Sequence, residues 1–358
     1  MPRQHFRRRI QHRRWVMIDK RVYGNTSEYG DQVMLYTLQA GEYTMNVSTY
    51  GGIIVNLIAP DKHGRKADIV LGYSTLGEYE RSTTYFGALI GRFANRIKDG
   101  KFSIDGRNYQ VPRNNGPNAL HGGPEGLHTK IWNVLTSEVD GAPALHLSYI
   151  SEEGEMGFPG TLKVHVDYIL FPEGKLEITY AAICDRVTPV NLTNHAYFNL
   201  AGDGNDVLDH EIQLYCDKYL PVDDTLIPTG EIRSVAGTPF DFTAGKRIGK
   251  DIDEAGGYDH CMVLTDTGDH LKQCAYVAER KTGRTMRVST TMEGVQFYSG
   301  NFLNGTDIAR DGNPYYQYAG FCLETQHFPD AMNNDNFPTC LLQPGETYKH
   351  TTLFEFNV

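Results

Sequence analysis

Lys163-Val164-His165-Val166-Asp167-Tyr168-Ile169-Leu170, a turn through Pro172-Glu173-Gly174, then Lys175-Leu176-Glu177-Ile178-Thr179-Tyr180: this stretch decides the fold class. Apolar and polar residues alternate on both sides of a Gly-containing turn, so each side buries one face and wets the other, as in an antiparallel hairpin. The same signature recurs. Lys101-Phe102-Ser103-Ile104 and Arg107-Asn108-Tyr109-Gln110-Val111 flank Asp105-Gly106, a type I′ turn dipeptide. Ala275 to Ala278 and Thr285 to Val288 flank Lys281-Thr282-Gly283, and Thr351 to Phe356 alternates again near the C-terminus. Helical patterns are scarce; Thr75 to Arg81 and Ile248 to Glu254 are the best, each about two turns at most. Many strands with few helices predict an all-β chain built as a large β-sandwich. No internal boundary stands out, so residues 20–358 read as one domain behind a disordered, Arg-rich extension over residues 1–19.

Composition excludes several partners. The 358-residue chain is 40% hydrophobic and 22% charged, ordinary for a globular protein large enough to bury a sizeable core. Its net charge of −10 speaks against nucleic acid. Residues 1–14 hold six arginines and no acid, so the remainder is more acidic still. That segment shares its arginines and its lack of acids with transit peptides, but it has no Ser or Thr, and no apolar stretch follows to make a secretory signal. No apolar run is long enough for a bilayer, and the expectation is no membrane. The six cysteines form no C-x-x-C pair, and the shortest gap is 13 residues. Neither a zinc site nor a disulfide framework is written there, and a reduced, cytoplasmic protein is expected.

Chemistry is concentrated in two strings. Thr193-Asn194-His195-Ala196-Tyr197-Phe198-Asn199-Leu200 sets a histidine among hydrogen-bonding and aromatic side chains. Phe321-Cys322-Leu323-Glu324-Thr325-Gln326-His327 sets one acid, Glu324, directly behind the apolar Phe-Cys-Leu. A histidine and a carboxylate in one cleft make an acid/base couple for near-neutral pH, with reference pKa values of about 6.5 and 4.3.

Together these strings closely resemble the aldose 1-epimerase (galactose mutarotase) family. The resemblance implies a single large, twisted antiparallel β-sandwich with a sugar in a cleft across one sheet. It implies His195 as general acid and Glu324 as general base. Four more strings match the family in order. Gly91-Arg92-Phe93-Ala94-Asn95-Arg96-Ile97 supplies Asn95 and Arg96 as sugar contacts, and Leu120-His121-Gly122-Gly123 supplies His121. Tyr258-Asp259-His260 supplies Asp259, and Gly294-Val295-Gln296-Phe297 supplies Gln296. Phe158, where the family often has Tyr, is expected to form an apolar wall against the sugar. The implied reaction interconverts the α and β anomers of D-galactose and of D-glucose. A base draws the proton from the C1 hydroxyl while an acid protonates the ring oxygen; the C1–C2 bond rotates in the open aldehyde and the ring recloses. This chemistry calls for no cofactor and no metal. The substrate is a free monosaccharide, and the protein is a monomer or homodimer.

Alternatives stay in view. No P-loop or G-x-G-x-x-G follows a strand, so NAD-linked epimerisation has no support. A glycosidase would pair two carboxylates, a role Asp259 and Glu324 could mimic. A hexose-phosphate epimerase would need further basic residues, and a non-catalytic sugar-binding protein could share the fold.

Overall fold

The computed structural model describes residues 16–358. Three antiparallel sheets dominate it. A five-stranded meander runs through Val16–Asn25, Gln32–Ala40, Tyr43–Ser48, Ile54–Pro60 and Lys66–Asp68. A nine-stranded sheet has the order Asn133–Val139, Ala142–Ser151, Leu162–Phe171, Lys175–Cys184, Tyr348–Asn357, Thr285–Thr290, Lys272–Ala278, Glu211–Leu214, Lys246–Arg247. A second five-stranded sheet orders Arg233–Ser234, Cys216–Tyr219, Asp259–Leu264, Gly294–Tyr298 and Cys322–Gln326.

All three expected hairpins are present. Leu162–Phe171 pairs antiparallel with Lys175–Cys184 in the register Val166↔Tyr180, which sends Val164, Val166, Tyr168 and Leu170 inward while Lys163 and His165 stay exposed. Asp105 and Gly106 both take positive φ (+50° and +75°), as a type I′ turn requires. The C-terminal strand Tyr348–Asn357 fills the middle of the large sheet between Lys175–Cys184 and Thr285–Thr290. The helical segments are as short as their sequence patterns suggest: Leu76–Arg81 is α-helical, and Ile248–Lys250 (3₁₀) leads into Ile252–Ala255 (α).

The core lies between the large sheet and the two smaller ones. Leu38, Met45 and Leu57 from the first sheet share one apolar cluster with Leu145, Val164, Tyr168 and Ile178 from the large sheet. Met262, Phe297 and Leu323 from the third sheet join the same cluster. This is one all-β sandwich, as the sequence predicts. Two buried arginines close it at loops, donating chiefly to backbone carbonyls. Arg284 reaches the carbonyls of Ala59, Pro60, Arg65, Leu200 and Ala201. On the outer face, Ser137 and Asp167 each lie 2.7 Å from a ring nitrogen of His146, a polar chain tying the edge strand to its two neighbours.

One boundary differs from expectation. Residues 16–19 are not extension: Val16 pairs with Ala40 and Asp19 with Thr37 in an edge strand. Its charged, mostly exposed sequence (VMIDKRVYGN) suits a sheet edge, where charges discourage pairing with other chains, and that hides the strand pattern. Residues 1–15 of the expected extension lie outside the described residues. Among the described residues no helix is long and apolar enough to cross a membrane.

Candidate active site

The two chemical strings meet because short strands cross beneath one cleft. Thr193–Asn194 pairs with Leu89–Ile90, and Asn194 is held by its own amide, which donates to Gly87 O (2.8 Å) and Tyr168 Oη (3.2 Å). The next residue, His195, is fixed by backbone bonds to Gly87 and Ala88 (2.9 Å each). Glu324 sits mid-strand in Cys322–Gln326, directly opposite Gln296. Their side chains converge: His195 Nε2 lies 3.7 Å from Glu324 Oε1, with both side chains 6% exposed or less. The other carboxyl oxygen, Oε2, is buried and has no hydrogen-bond partner among the described residues. A buried acceptor of that kind is costly unless a donor meets it.

The pair forms the floor of a cleft of about 670 Å³. Asn95, Arg96, His121 and Asp259 line it too. Asn95 and His121 both hold left-handed backbone (φ +65° and +53°) and exchange two bonds: Asn95 N donates to His121 Nδ1 (3.1 Å), and His121 N donates to Asn95 O (3.0 Å). Non-glycine residues pay for this conformation, and such outliers gather at functional sites. The first bond also fixes a tautomer. With Nδ1 accepting, the proton of neutral His121 sits on Nε2, ready to donate. His121, His195 and Glu324 bring possible ligand atoms within 4.8 Å of one another. Yet a metal would need the Nε2 lone pair that this tautomer denies it. The trio is better suited to hydroxyl groups.

Arg96 donates from Nε to Asn115 Oδ1 (3.0 Å) and stands 3.6 Å from Asp259 Oδ2. Gln296 stands one step back: its amide donates to Asp259 Oδ1 at 2.7 Å, and Gln326 donates to its oxygen. Gln296 therefore orients Asp259 and is itself nearly fully buried. Phe158 is a correction. It is 1% exposed, stacks near Phe102 (5.9 Å between centroids) and lies under Arg92, in an apolar cluster outside the cleft. The reason is side-chain direction: the ring packs into the cluster of Phe93, Ile97, Phe102 and Val111 and not toward the cleft. The sequence reading missed Tyr85, His128 and Tyr298 as cleft residues. Their one available signal was aromatic residues beside Gly-containing turns, which is weak.

Burial sets the electrostatics. Desolvation pushes His195 down to about 4, against the pull of Asp259, and pushes the Glu324 carboxyl well up, a rise that nearby Asp259 adds to and Arg96 opposes. Desolvation likewise lowers His121 strongly. A protonated glutamate beside a neutral histidine holds the same one proton as a carboxylate beside an imidazolium, so the pair titrates as a unit.

The family model described as aldose 1-epimerase matches residues 34–355. The chain belongs to the aldose 1-epimerase family. A galactose mutarotase from Rattus norvegicus is 44% identical over 348 residues, 96% of this chain and 99% of the relative. An aldose 1-epimerase from Escherichia coli (strain K12) is 38% identical over 315 residues, covering 86% and 90%. The crystal structure of a galactose 1-epimerase from Lactobacillus acidophilus NCFM superposes with a TM-score of 0.83 at 27% identity, covering 96% of this chain and 99% of that one. This epimerase is thus an enzyme, a carbohydrate isomerase with the mutarotase sandwich.

Proposed function

We propose that this epimerase interconverts the α and β anomers of D-galactose, and of D-glucose, as free monosaccharides. Glu324 takes the proton from the C1 hydroxyl, and His195 gives one to the ring oxygen. The observation carrying this reading is the pairing at the cleft floor: His195 Nε2 stands 3.7 Å from Glu324 Oε1, beside the unpartnered Oε2. Asn95, Arg96, His121 and Asp259 supply donors and acceptors for the remaining hydroxyls, and Gln296 acts through Asp259.

Burial helps the ring to open. The step converts carboxylate plus imidazolium into carboxylic acid plus neutral imidazole, and a dry site favours that neutral pair. Closure on the other face of C1 runs both transfers backward, so neither residue is consumed. Among the described residues, those lining the cleft include two with a fixed positive charge, Arg81 and Arg96, and Arg96 is engaged by Asp259. That favours a neutral sugar over a hexose phosphate. All six cysteines are free thiols, which suits a reducing compartment such as the cytoplasm.

Polarimetry tests the reading. Freshly dissolved α-D-galactose and α-D-glucose should mutarotate faster with the protein than without it. No acceleration with either sugar would overturn it.

A further inference from the structure

Burial works against a charged His195, yet the proposed acid must carry its proton when the sugar arrives. The surroundings of its ring suggest how. Two phenol rings lie nearly parallel to the imidazole: Tyr197 at 5.0 Å and 26°, and Tyr85 at 5.8 Å and 30°. Both distances fall within about 6 Å, the reach over which an aromatic face attracts a cation. Tyr197 belongs to the string around His195, whereas Tyr85 arrives from a separate loop.

That loop is shaped for the task. Tyr85 holds φ +58°, a left-handed conformation costing an ordinary residue roughly 1–2 kcal/mol. Its carbonyl accepts from Ala88 N (3.1 Å), and Gly87 and Ala88 bond directly to the His195 backbone. The turn and the acid are therefore built as one unit. The Tyr85 ring also meets His121 and His128 edge-on, at 4.7 and 4.8 Å between centroids. Burial pushes the Tyr85 phenol up to about 12, so the ring stays uncharged.

We propose that Tyr85 is a positioning residue for the reaction: with Tyr197 it fixes the plane of the His195 ring and favours its protonated form. This rests on His195 being the acid. The other titratable groups around that ring are Glu324 and Cys322 on one strand, Tyr298 on its neighbour, Asp259 on the strand beyond, and Arg96, His121 and His128 from the other side of the cleft. None of them is removed by a change at Tyr85.

The test is the pH profile of kcat for galactose mutarotation in wild type, Tyr85→Leu and Tyr85→Phe, with His195→Ala alongside. The alkaline limb reports loss of the last proton from the His195–Glu324 pair. Tyr85→Leu should lower kcat and move that limb to lower pH by about 0.5–1.5 units, the range expected for one desolvated cation–π contact. Tyr85→Phe keeps the ring and should keep the limb in place. Both variants share the strained backbone position, so a folding effect would strike both. An unmoved limb in the leucine variant would overturn the proposal, as would a phenylalanine variant shifted as far as leucine, since that would assign the effect to the hydroxyl. If His195→Ala itself retained turnover, the acid assignment would fail first, a distinct outcome.

Discussion

Arg92 offers a sharp test of how the cleft-lining loop is held. Its side chain is 2% exposed and makes five bonds. Nε donates to Ser151 Oγ (2.8 Å), Nη1 to the carbonyls of Pro159 (3.0 Å) and Gly160 (2.8 Å), and Nη2 to the carbonyls of Ser151 and Glu152 (2.7 Å each). Burial lowers its pKa to about 10, so it remains a cation at neutral pH. One guanidinium thus ties the 151–160 segment to the loop that carries Asn95 and leads into Arg96. In Arg92→Lys, an ammonium has three donors for five acceptors; Glu152 O keeps its bond from Glu155 N, so at least one buried acceptor loses its partner. At about 1–3 kcal/mol for such an acceptor, the loss is at least about 1–3 kcal/mol. Urea unfolding followed by far-UV circular dichroism would read it, with the midpoint falling and the slope unchanged. KM for galactose should rise as the loop carrying Asn95 and Arg96 loosens. A loss below about 1 kcal/mol with unchanged KM would refute the clamp.

Other expectations follow from the same geometry. Asp259→Asn removes the negative charge that helps raise Glu324, so the acid limb of kcat should move to lower pH, while KM rises because Arg96 loses its partner; profiles in both parameters separate the two effects. His210 accepts from Leu200 N at 3.0 Å, and burial holds it down to about 4. A lowered folded pKa means that the unfolded chain binds more protons between pH 6.5 and 4, so this contribution is full above 6.5 and fades as pH falls. Between 6.5 and about 4 the whole effect is worth about 3 kcal/mol, of which about 2 kcal/mol falls between pH 7 and pH 5, so His210→Gln should shrink the stability difference between those two pH values by about 2 kcal/mol in unfolding titrations. Phe158→Ala should cost about 3–5 kcal/mol of stability and leave KM for galactose nearly unchanged in a polarimetric assay, since its ring packs on Phe102 and not on the cleft.

Sequence patterns exposed much of this architecture, for physical reasons. Hairpins such as Leu162–Phe171 with Lys175–Cys184 are legible because one face is dry and the other wet, which forces a period of two. The edge strand Val16–Asn25 defied that reading because an edge with exposed, charged residues carries no such contrast. In the cleft, Asn95, Arg96, His121, His195, Asp259 and Glu324 were legible as members of continuous strings, and the structure brings all six to one surface. Tyr85 was not. Its role depends on a left-handed backbone that nothing in Thr84-Tyr85-Phe86 announces, and on rings contributed by residues 36 or more positions away. Gln296 and Phe158 show the converse limit. Their strings place them near the site, while side-chain direction, which sequence does not state, decides that one acts through Asp259 and the other packs in the core.

The central claim is that Glu324 and His195 transfer the two protons. The most direct test is the turnover number for α-D-galactose mutarotation in Glu324→Gln and His195→Ala beside the wild-type enzyme, with sugar binding measured separately by calorimetry. The account predicts a fall in kcat of about 10²–10⁴-fold for each variant, with galactose still bound. Turnover surviving within about tenfold in either variant, with binding intact, would contradict it.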